Sequence, residues 1–402
     1  MQVLHIISNK DNSGGTIAAL NLHYALLNNG IRSAVLSSGE LEGFEQGKGY
    51  RRFGGIIGRV QQGFLNLENL FAKPGWINPV DKFVVPDILG NYSGVVHIHV
   101  THVAQISFDL IGQLAEDNKI LWTLHDLWPL TGKCIHPIEC SKYLTNCHQC
   151  PRLLEYPKLK WDNTAYLHQQ KKNFITQHKI HFIAPSKWIK NENEAYLNNL
   201  NGKISTIPHA LNSNFQKALI SKEEIRRKYN LPIDGDVILF PQGRWDDEKK
   251  GGNWFESIKH ALAIRINLNR KIYLIKLSGN ELQFNKLNNW VTEVHLPVTS
   301  NQEVMAAYYQ LSDVSISLSQ IETFGLCVAE SLACGVPVLA RSAKGINELL
   351  TDDVIANSKD ELTNFILSQK WLKINYKPLF SRIANDMNIN NWAKAHIALY
   401  DS

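Results

Sequence analysis

Val314-Ser-Ile-Ser-Leu318, followed after Ser319-Gln320-Ile321 by Glu322-Thr-Phe-Gly-Leu-Cys-Val-Ala-Glu330-Ser-Leu-Ala-Cys-Gly335-Val-Pro-Val338, packs three elements into one short span. The apolar run 314–318 reads as a buried strand. Gly325 opens a helix behind it, and Gly335-Val336-Pro337-Val338 closes that helix and enters the next strand. A helix start leaves backbone N–H groups without intrahelical partners, here at Gly325, Leu326 and Cys327, and adds the positive end of the helix dipole, so this turn can accept a phosphate. Glu322 is expected in the crevice above the strand. Glu330, eight positions on, is expected on a helix face that reaches a diol, because an ionised carboxylate accepts two hydroxyl hydrogen bonds.

The same strand, turn and helix rhythm runs outward through the chain. Residues 3–7 form an apolar run, Ser13-Gly14-Gly15 a turn, and residues 16–29 carry Ile17, Leu20, Leu22, Tyr24 and Leu27 at helical spacing. Short runs recur at 34–36, 95–98, 120–124, 182–184 and 204–207, and, beyond the polar stretch 212–235, at 237–240, 272–277, 314–318 and 336–340. Such alternation implies parallel sheets wrapped by helices. The predicted organisation is an α/β N-terminal domain over residues 1–215, a second over 216–385, and a terminal helix, 386–402, with Trp392, His396, Leu399 and Tyr400 on one face. A length of 402 residues suits two cores of this size. Residues 43–80 follow neither pattern and read as an insertion forming a surface loop. Lys48, Arg51, Arg52 and Arg59 alternate there with Phe53, Ile56, Ile57 and Phe64, so 47–64 is also a candidate for peripheral contact with an anionic membrane.

Composition narrows the classes. Forty-two Lys and Arg against 37 Asp and Glu give +5, too mild for a nucleic-acid binder, and none is expected as a partner. Hydrophobic residues at 44% and charged residues at 20% exclude disordered and coiled-coil chains. No apolar run approaches the roughly 18 residues of a membrane span, and residues 1–8 lack the basic start of a secretory signal. The expected location is cytoplasmic, extending to the inner face of the plasma membrane. Four of six cysteines crowd into Cys134-x5-Cys140-x6-Cys147-x2-Cys150, a set that suits structural Zn²⁺ or stands as free thiols, with His136 and His148 as alternative ligands. Cys327 and Cys334 read as packing.

Two further strings carry chemistry. Phe240-Pro-Gln-Gly-Arg244-Trp-Asp-Asp-Glu-Lys249-Lys250-Gly251 ends the first strand of the second half, where α/β sheets bind ligands. Its cations suit a leaving group that gains negative charge; a unit pair 4 Å apart is worth ~4 kcal/mol at an effective dielectric of 20. The plainer reading is a charged surface turn. Leu121-Trp-Thr-Leu-His125-Asp126-Leu-Trp-Pro-Leu-Thr-Gly-Lys-Cys134 sets a hydrogen-bonding histidine and an aspartate just beyond a strand. His97, His99 and His102 read as strand-end residues, with His99 alone a candidate to face the cleft.

The Glu322-to-Glu330 string, its Phe324-Gly325 turn and its Gly-Val-Pro-Val strand entry resemble retaining glycosyltransferases of the group-1 (family 4) type. Residues 122–151 are similar to the colanic-acid and exopolysaccharide subset, in which His-Asp-x-Trp precedes Thr-Gly-x-Cys and Cys-x2-Cys-Pro. The resemblance implies the GT-B fold, two Rossmann-like doubly wound domains facing each other across a cleft, with the C-terminal helix packing back toward the N-terminal domain. It implies transfer of a sugar from a nucleoside-diphosphate donor, UDP- or GDP-linked, to a saccharide or lipid-linked saccharide in bacterial polysaccharide assembly, with no cofactor for catalysis. Glu322 would contact the donor sugar, Glu330 the ribose, and Arg244 with Lys250 the diphosphate, Lys249 being a rival. Phe324, Gly325 and Leu326 would line the donor site, with Gly14 and Gly15 facing the diphosphate. His125 would lie beside the reacting sugar and Asp126 near the acceptor. Thr206-Ile-Pro-His-Ala-Leu-Asn212 departs from the family's usual Pro-Asn-Gly-Ile-Asp. A sugar-nucleotide epimerase or phosphorylase, or a non-catalytic zinc-stapled interaction protein, are the alternatives. A nicotinamide enzyme would want Gly-x-Gly-x-x-Gly, and Glu40 is the one candidate for its acid.

Overall fold

The computed structural model describes residues 1–7, 13–37, 40–43, 55–76, 92–100, 107–216, 221–243, 245, 247–265 and 267–402. They form two compact units, Met1–Pro208 with Asn390–Ser402, and His209–Ile389.

In the first unit the strands are β1 (Gln2–Ile7), β2 (Arg32–Ser37), β3 (Glu40–Gly43), β4 (Val95–Ile98), β5 (Lys119–Thr123), β6 (His181–Ala184) and β7 (Lys203–Thr206). Their order among the described residues is β3-β2-β1-β4-β5-β6-β7, parallel throughout except for antiparallel β3. A parallel sheet covered on both faces buries nearly every strand residue, which is why these strands read as unbroken apolar runs. The helices are α1 (Gly14–Asn28), α2 (Gly55–Leu70), α3 (Phe108–Asp117), α4 (Thr164–His178) and α5 (Lys187–Asn198). The Ser13 hydroxyl caps α1 by accepting from the Thr16 N–H at 3.3 Å.

The expectation of a loop over 43–80 is corrected at α2. Val60, Phe64 and Leu67 recur at helical spacing, a period masked in sequence by the glycines and basic residues ahead of it. Residues 44–54 and 77–80 of that insertion lie outside the described residues.

The second unit holds α6 (Lys222–Lys228), β8 (Asp236–Phe240), α7 (Gly252–Ala263), β9 (Ile272–Leu277), β10 (Gln283–Lys286), β11 (Val291–Leu296), α8 (Gln302–Gln310), β12 (Val314–Ser317), α9 (Leu326–Ala333), β13 (Val338–Arg341), β14 (Ile355–Ala356), α10 (Lys359–Leu367) and α11 (Lys377–Asp386). The order β10-β11-β9-β8-β12-β13-β14 is again parallel except at one edge, β10. The chain winds outward from β1 to β3 and then returns to place β4 on the other side of β1. It repeats the move at β8, which lies between β9 and β12. Each reversal opens a crevice at the carboxyl ends of the two strands beside it, the place where doubly wound sheets take ligands.

The last helix, α12 (Ile389–Asp401), packs in the first unit. It buries Trp392, Ala393, His396 and Tyr400. Lys119 Nζ donates to the carbonyls of Leu399 at 2.7 Å and Tyr400 at 3.2 Å, so a cation satisfies the negative end of the helix.

Candidate functional site

At the β8/β12 crevice two loops are locked together. The Gln320 N–H donates to the Lys249 carbonyl at 2.8 Å, and Gly251, at φ +87°, approaches Leu318 so closely that a Cβ would collide with it. This contact holds Lys250 over the end of β12, where its Nζ meets Glu322 Oε1 at 2.7 Å. Burial lowers the Lys250 pKa, but the adjoining Glu322 carboxylate outweighs it and holds the ammonium above the ordinary lysine value. The Lys249 backbone amide donates to Asp247 Oδ1 at 3.0 Å. Arg244 lies outside the described residues.

Gly325 starts α9 in the left-handed region at φ +100°, and its carbonyl accepts from the N–H groups of Val328 and Ala329 at 3.0 and 3.2 Å. The amides of Leu326 and Cys327 precede the first intrahelical bond, as an anion-accepting helix start requires. Phe324 is buried, edge-on to His209 with ring centroids 5.4 Å apart. Glu330, one face further along α9, accepts from the Tyr309 hydroxyl at 2.9 Å. Burial pushes its carboxyl up to about 7, with the Tyr309 hydrogen bond pulling the other way. Cys327, expected as packing, feels Glu330, Glu322 and Lys250 at once, and burial together with the two carboxylates pushes its thiol up to about 12. Tyr309 and Cys327 carry no motif; only the helical spacing from Cys327 to Glu330 could have flagged the latter.

In the first unit, the β1/β4 crevice brings Gly15 against His125. A Cβ on Gly15 would stand 2.6 Å from Val100 Cγ2 and 3.1 Å from His125 Cβ. Gly14, beside it, is the exposed first residue of α1. His125 Nε2 is 2.9 Å from His99 Nδ1, and His99 Nε2 is 3.0 Å from His5 Nδ1. His97 pairs with Tyr400 and Thr123, each at 2.7 Å. Burial drives the His125 pKa down to about 4 and those of His5, His97 and His99 well below the ordinary value. His102 lies outside the described residues. His5 was hidden inside an apolar run. Asp126 is 9% exposed, and its Oδ1 accepts from the Trp128 N–H at 2.8 Å. This bond closes the turn that leads into the short helix Trp128–Leu130.

Cys134, Cys140, Cys147 and Cys150 are unbridged and line one pocket with Lys133 and Thr164. Burial, reinforced by the other three sulfurs, pushes the Cys134 thiol up to about 11. Among the described residues, the trio that brings ligand atoms within 4.8 Å of one another is instead His5, His97 and His99.

Residues 221–367 match the family of glycosyl transferases group 1. A protein named as colanic acid biosynthesis glycosyl transferase WcaC of Escherichia coli K12 is 24% identical over 64% of this chain and 62% of its own length. A D-inositol 3-phosphate glycosyltransferase of Xylanimonas cellulosilytica is 30% identical over 33% of this chain and 32% of its own. The matches therefore span less than two thirds of these relatives. Among solved structures, a sucrose-phosphate synthase from Thermosynechococcus elongatus superposes with TM-score 0.69 at 17% identity, covering 100% of this chain and 98% of the other. Anabaena Alr3699/HepE in complex with UDP and glucose gives 0.62 at 14%, covering 100% of both. At such identities the likeness establishes the fold, and it agrees with the GT-B expectation.

Proposed function

We propose that this chain, whose residues 221–367 match the glycosyl transferases group 1 family, moves a sugar, with retention, from a nucleoside-diphosphate donor to an acceptor hydroxyl in polysaccharide assembly. The observation that carries this is the meeting of Lys250 with Glu322 at 2.7 Å beside the glycine-started helix that bears Glu330. A diphosphate sugar has three kinds of group to hold: phosphate charge, ring hydroxyls and a ribose diol. Lys250 and the first amides of α9 answer the phosphate, Glu322 the sugar hydroxyls, and Glu330 the diol.

The glycosidic C–O bond breaks with its electron pair leaving on the diphosphate oxygen, and Lys250, with Arg244, stabilises that charge. The acceptor hydroxyl attacks from the same face and its proton passes to the departing diphosphate oxygen. The family resemblance carries His125 to contact with the sugar and the Gly14–Gly15 turn to the diphosphate. Support for a nucleotide donor comes from neighbours of the same fold solved in complex with UDP, or with UDP and glucose. Lipid-linked acceptors would suit α2, where Val60, Leu67 and Leu70 are exposed beside Arg59. Among the described residues no helix is long and apolar enough to cross a membrane. The cysteine loop is proposed to hold structural Zn²⁺, since a divalent cation is what lets clustered buried sulfurs ionise together.

The test pairs binding with turnover. UDP, GDP and ADP are screened by thermal shift; a ligand at 100 times its Kd adds about 2.7 kcal/mol of stability. Lys250→Ala and Glu322→Ala are expected to cut transfer by about a hundredfold or more. No shift with any nucleotide, or an epimerised donor as the product, would refute the transferase reading.

A further inference from the structure

The Glu330 carboxylate takes a hydrogen bond that the proposed function leaves without a role: the Tyr309 hydroxyl donates to its Oε2 at 2.9 Å. Tyr309 lies next to the last residue of α8 and is fully buried, its ring edge-on to Phe215 with centroids 6.3 Å apart. Along the same pair of helices the Cys334 thiol reaches the Ala306 carbonyl at 4.0 Å. The donor is therefore delivered by a ring that close packing holds in one place, across a contact between α8 and α9.

The bond divides the carboxylate. Oε2 is engaged, and Oε1 has no hydrogen-bond or ion-pair partner among the described residues. A cation at Oε2 would neutralise the group, whereas a neutral O–H holds it and leaves its charge for a ligand. The neighbouring thiols do not compete for that role. Cys327, whose sulfur also lies at the Tyr309 hydroxyl, is pushed up to about 12 by burial and by the Glu330 and Glu322 carboxylates. Burial, with Glu330 adding to it, pushes Cys334 up as well, so both stay protonated. The single hydroxyl proton of Tyr309 goes to the strongest acceptor beside it, the carboxylate.

A free glutamate side chain loses much rotamer freedom when a ligand fixes it. One already held at Oε2 has lost that freedom before the ligand arrives, which raises affinity without any further ligand contact. We propose that Tyr309 is the positioning residue of the diol site: by holding Glu330 at Oε2 it presents Oε1 to the two ribose hydroxyls of the nucleotide. This rests on the proposed function for the identity of the diol. The plainer use of the bond is to tie α8 to α9, and the two uses part in what they do to a nucleotide that lacks its diol.

UDP and GDP are measured by calorimetry on the full chain beside their 2′,3′-dideoxy counterparts. Tyr309→Phe keeps the ring and removes the donor. It should weaken the ribose nucleotide about fivefold to tenfold and change the dideoxy nucleotide by less than about twofold. In turnover, KM for the sugar donor should rise by the same factor at nearly constant kcat, because binding common to ground and transition state is what is lost. In a Glu330→Gln background the same substitution should alter affinity by less than about twofold. In the free protein, ¹³C-labelled glutamate carboxyls followed against pH should show the Glu330 midpoint rise in Tyr309→Phe, since an O–H donor favours the ionised form. If Tyr309→Phe does not fold, 3-fluorotyrosine in place of Tyr309 alone, a stronger donor, should lower that midpoint and tighten the ribose nucleotide. Ribose-dependent binding indifferent to these changes overturns the inference and leaves the proposed function standing. So does an equal loss with ribose and dideoxy nucleotides, the mark of a tie between helices, or equal wild-type affinity for both. Absence of any nucleotide binding sinks the proposed function and the ribose assignment with it, while the carboxyl titration still decides whether Tyr309 holds Glu330.

Discussion

Glu330 carries the pH signature of the molecule. Its folded pKa of about 7 lies above the ordinary carboxyl value, chiefly through burial. A group raised in this way stabilises the fold fully below its unfolded pKa, and that contribution is lost as pH rises through the folded one. Between about pH 4.5 and 7 the protein should lose stability, and Glu330→Gln, which imitates the neutral acid, should flatten that part of a urea-midpoint profile. A diol that donates to the carboxylate prefers its ionised form, so UDP binding by calorimetry should tighten about tenfold more between about pH 6 and 8 in the wild type than in Glu330→Gln. The comparison removes the nucleotide's own titration. Gly251 is a second residue-scale case: at φ +87° and pressed on Leu318, Gly251→Ala should cost about 2–4 kcal/mol by chemical denaturation. Sequence spacing could single out Glu322, Glu330 and the two lysines, because each lies in a short local string. It could not show the pairing of Lys250 with Glu322, since that contact joins residues 72 positions apart. Nor could it show that Asp126 accepts from the Trp128 N–H, a turn contact that a string of letters does not reveal.

Whole elements were legible where the local signals agreed with one another. The β12, turn and α9 segment was readable because burial on both strand faces, a left-handed glycine and a proline at the next strand entry all agree. β11 was not, because Glu293 and His295 interrupt Val291–Leu296. Glu293 is only 3% exposed and survives there by pairing with Lys276 at 2.9 Å and Lys259 at 3.5 Å, partners no local pattern reveals. β14, two residues long, is too short to leave a pattern. The cysteine loop is the element whose proposal is quickest to check. Elemental analysis of purified protein should find about one zinc per chain, and Cys147→Ser with Cys150→Ser should abolish it and lower the melting temperature by several degrees.

For the molecule entire, alternating runs sufficed to anticipate two doubly wound units, since each unit's parallel sheet demands long crossovers and buried strands. What the runs do not contain is which unit the final helix joins. That is decided by Tyr400 on His97 and by Lys119 on the last carbonyls, contacts across some 300 positions. Deleting residues 390–402 should therefore expose the buried side of β4 and β5. The expected result is a loss of at least about 3 kcal/mol in denaturant unfolding, with dye-binding apolar surface appearing in the first unit, while hydrogen-exchange protection over β8, β9 and β12 is little altered.

That placement of α12 also dictates an order of birth. The second unit is spliced into the first, so a ribosome releases every described strand of the first sheet early yet withholds the piece that seals it until the whole second unit has been made. Throughout that interval the nascent chain carries an open seam at His97 and Lys119. A product cut or stalled before residue 390 bears the same raw seam permanently, a mark by which chaperones and proteases can tell it from a copy whose seam is closed.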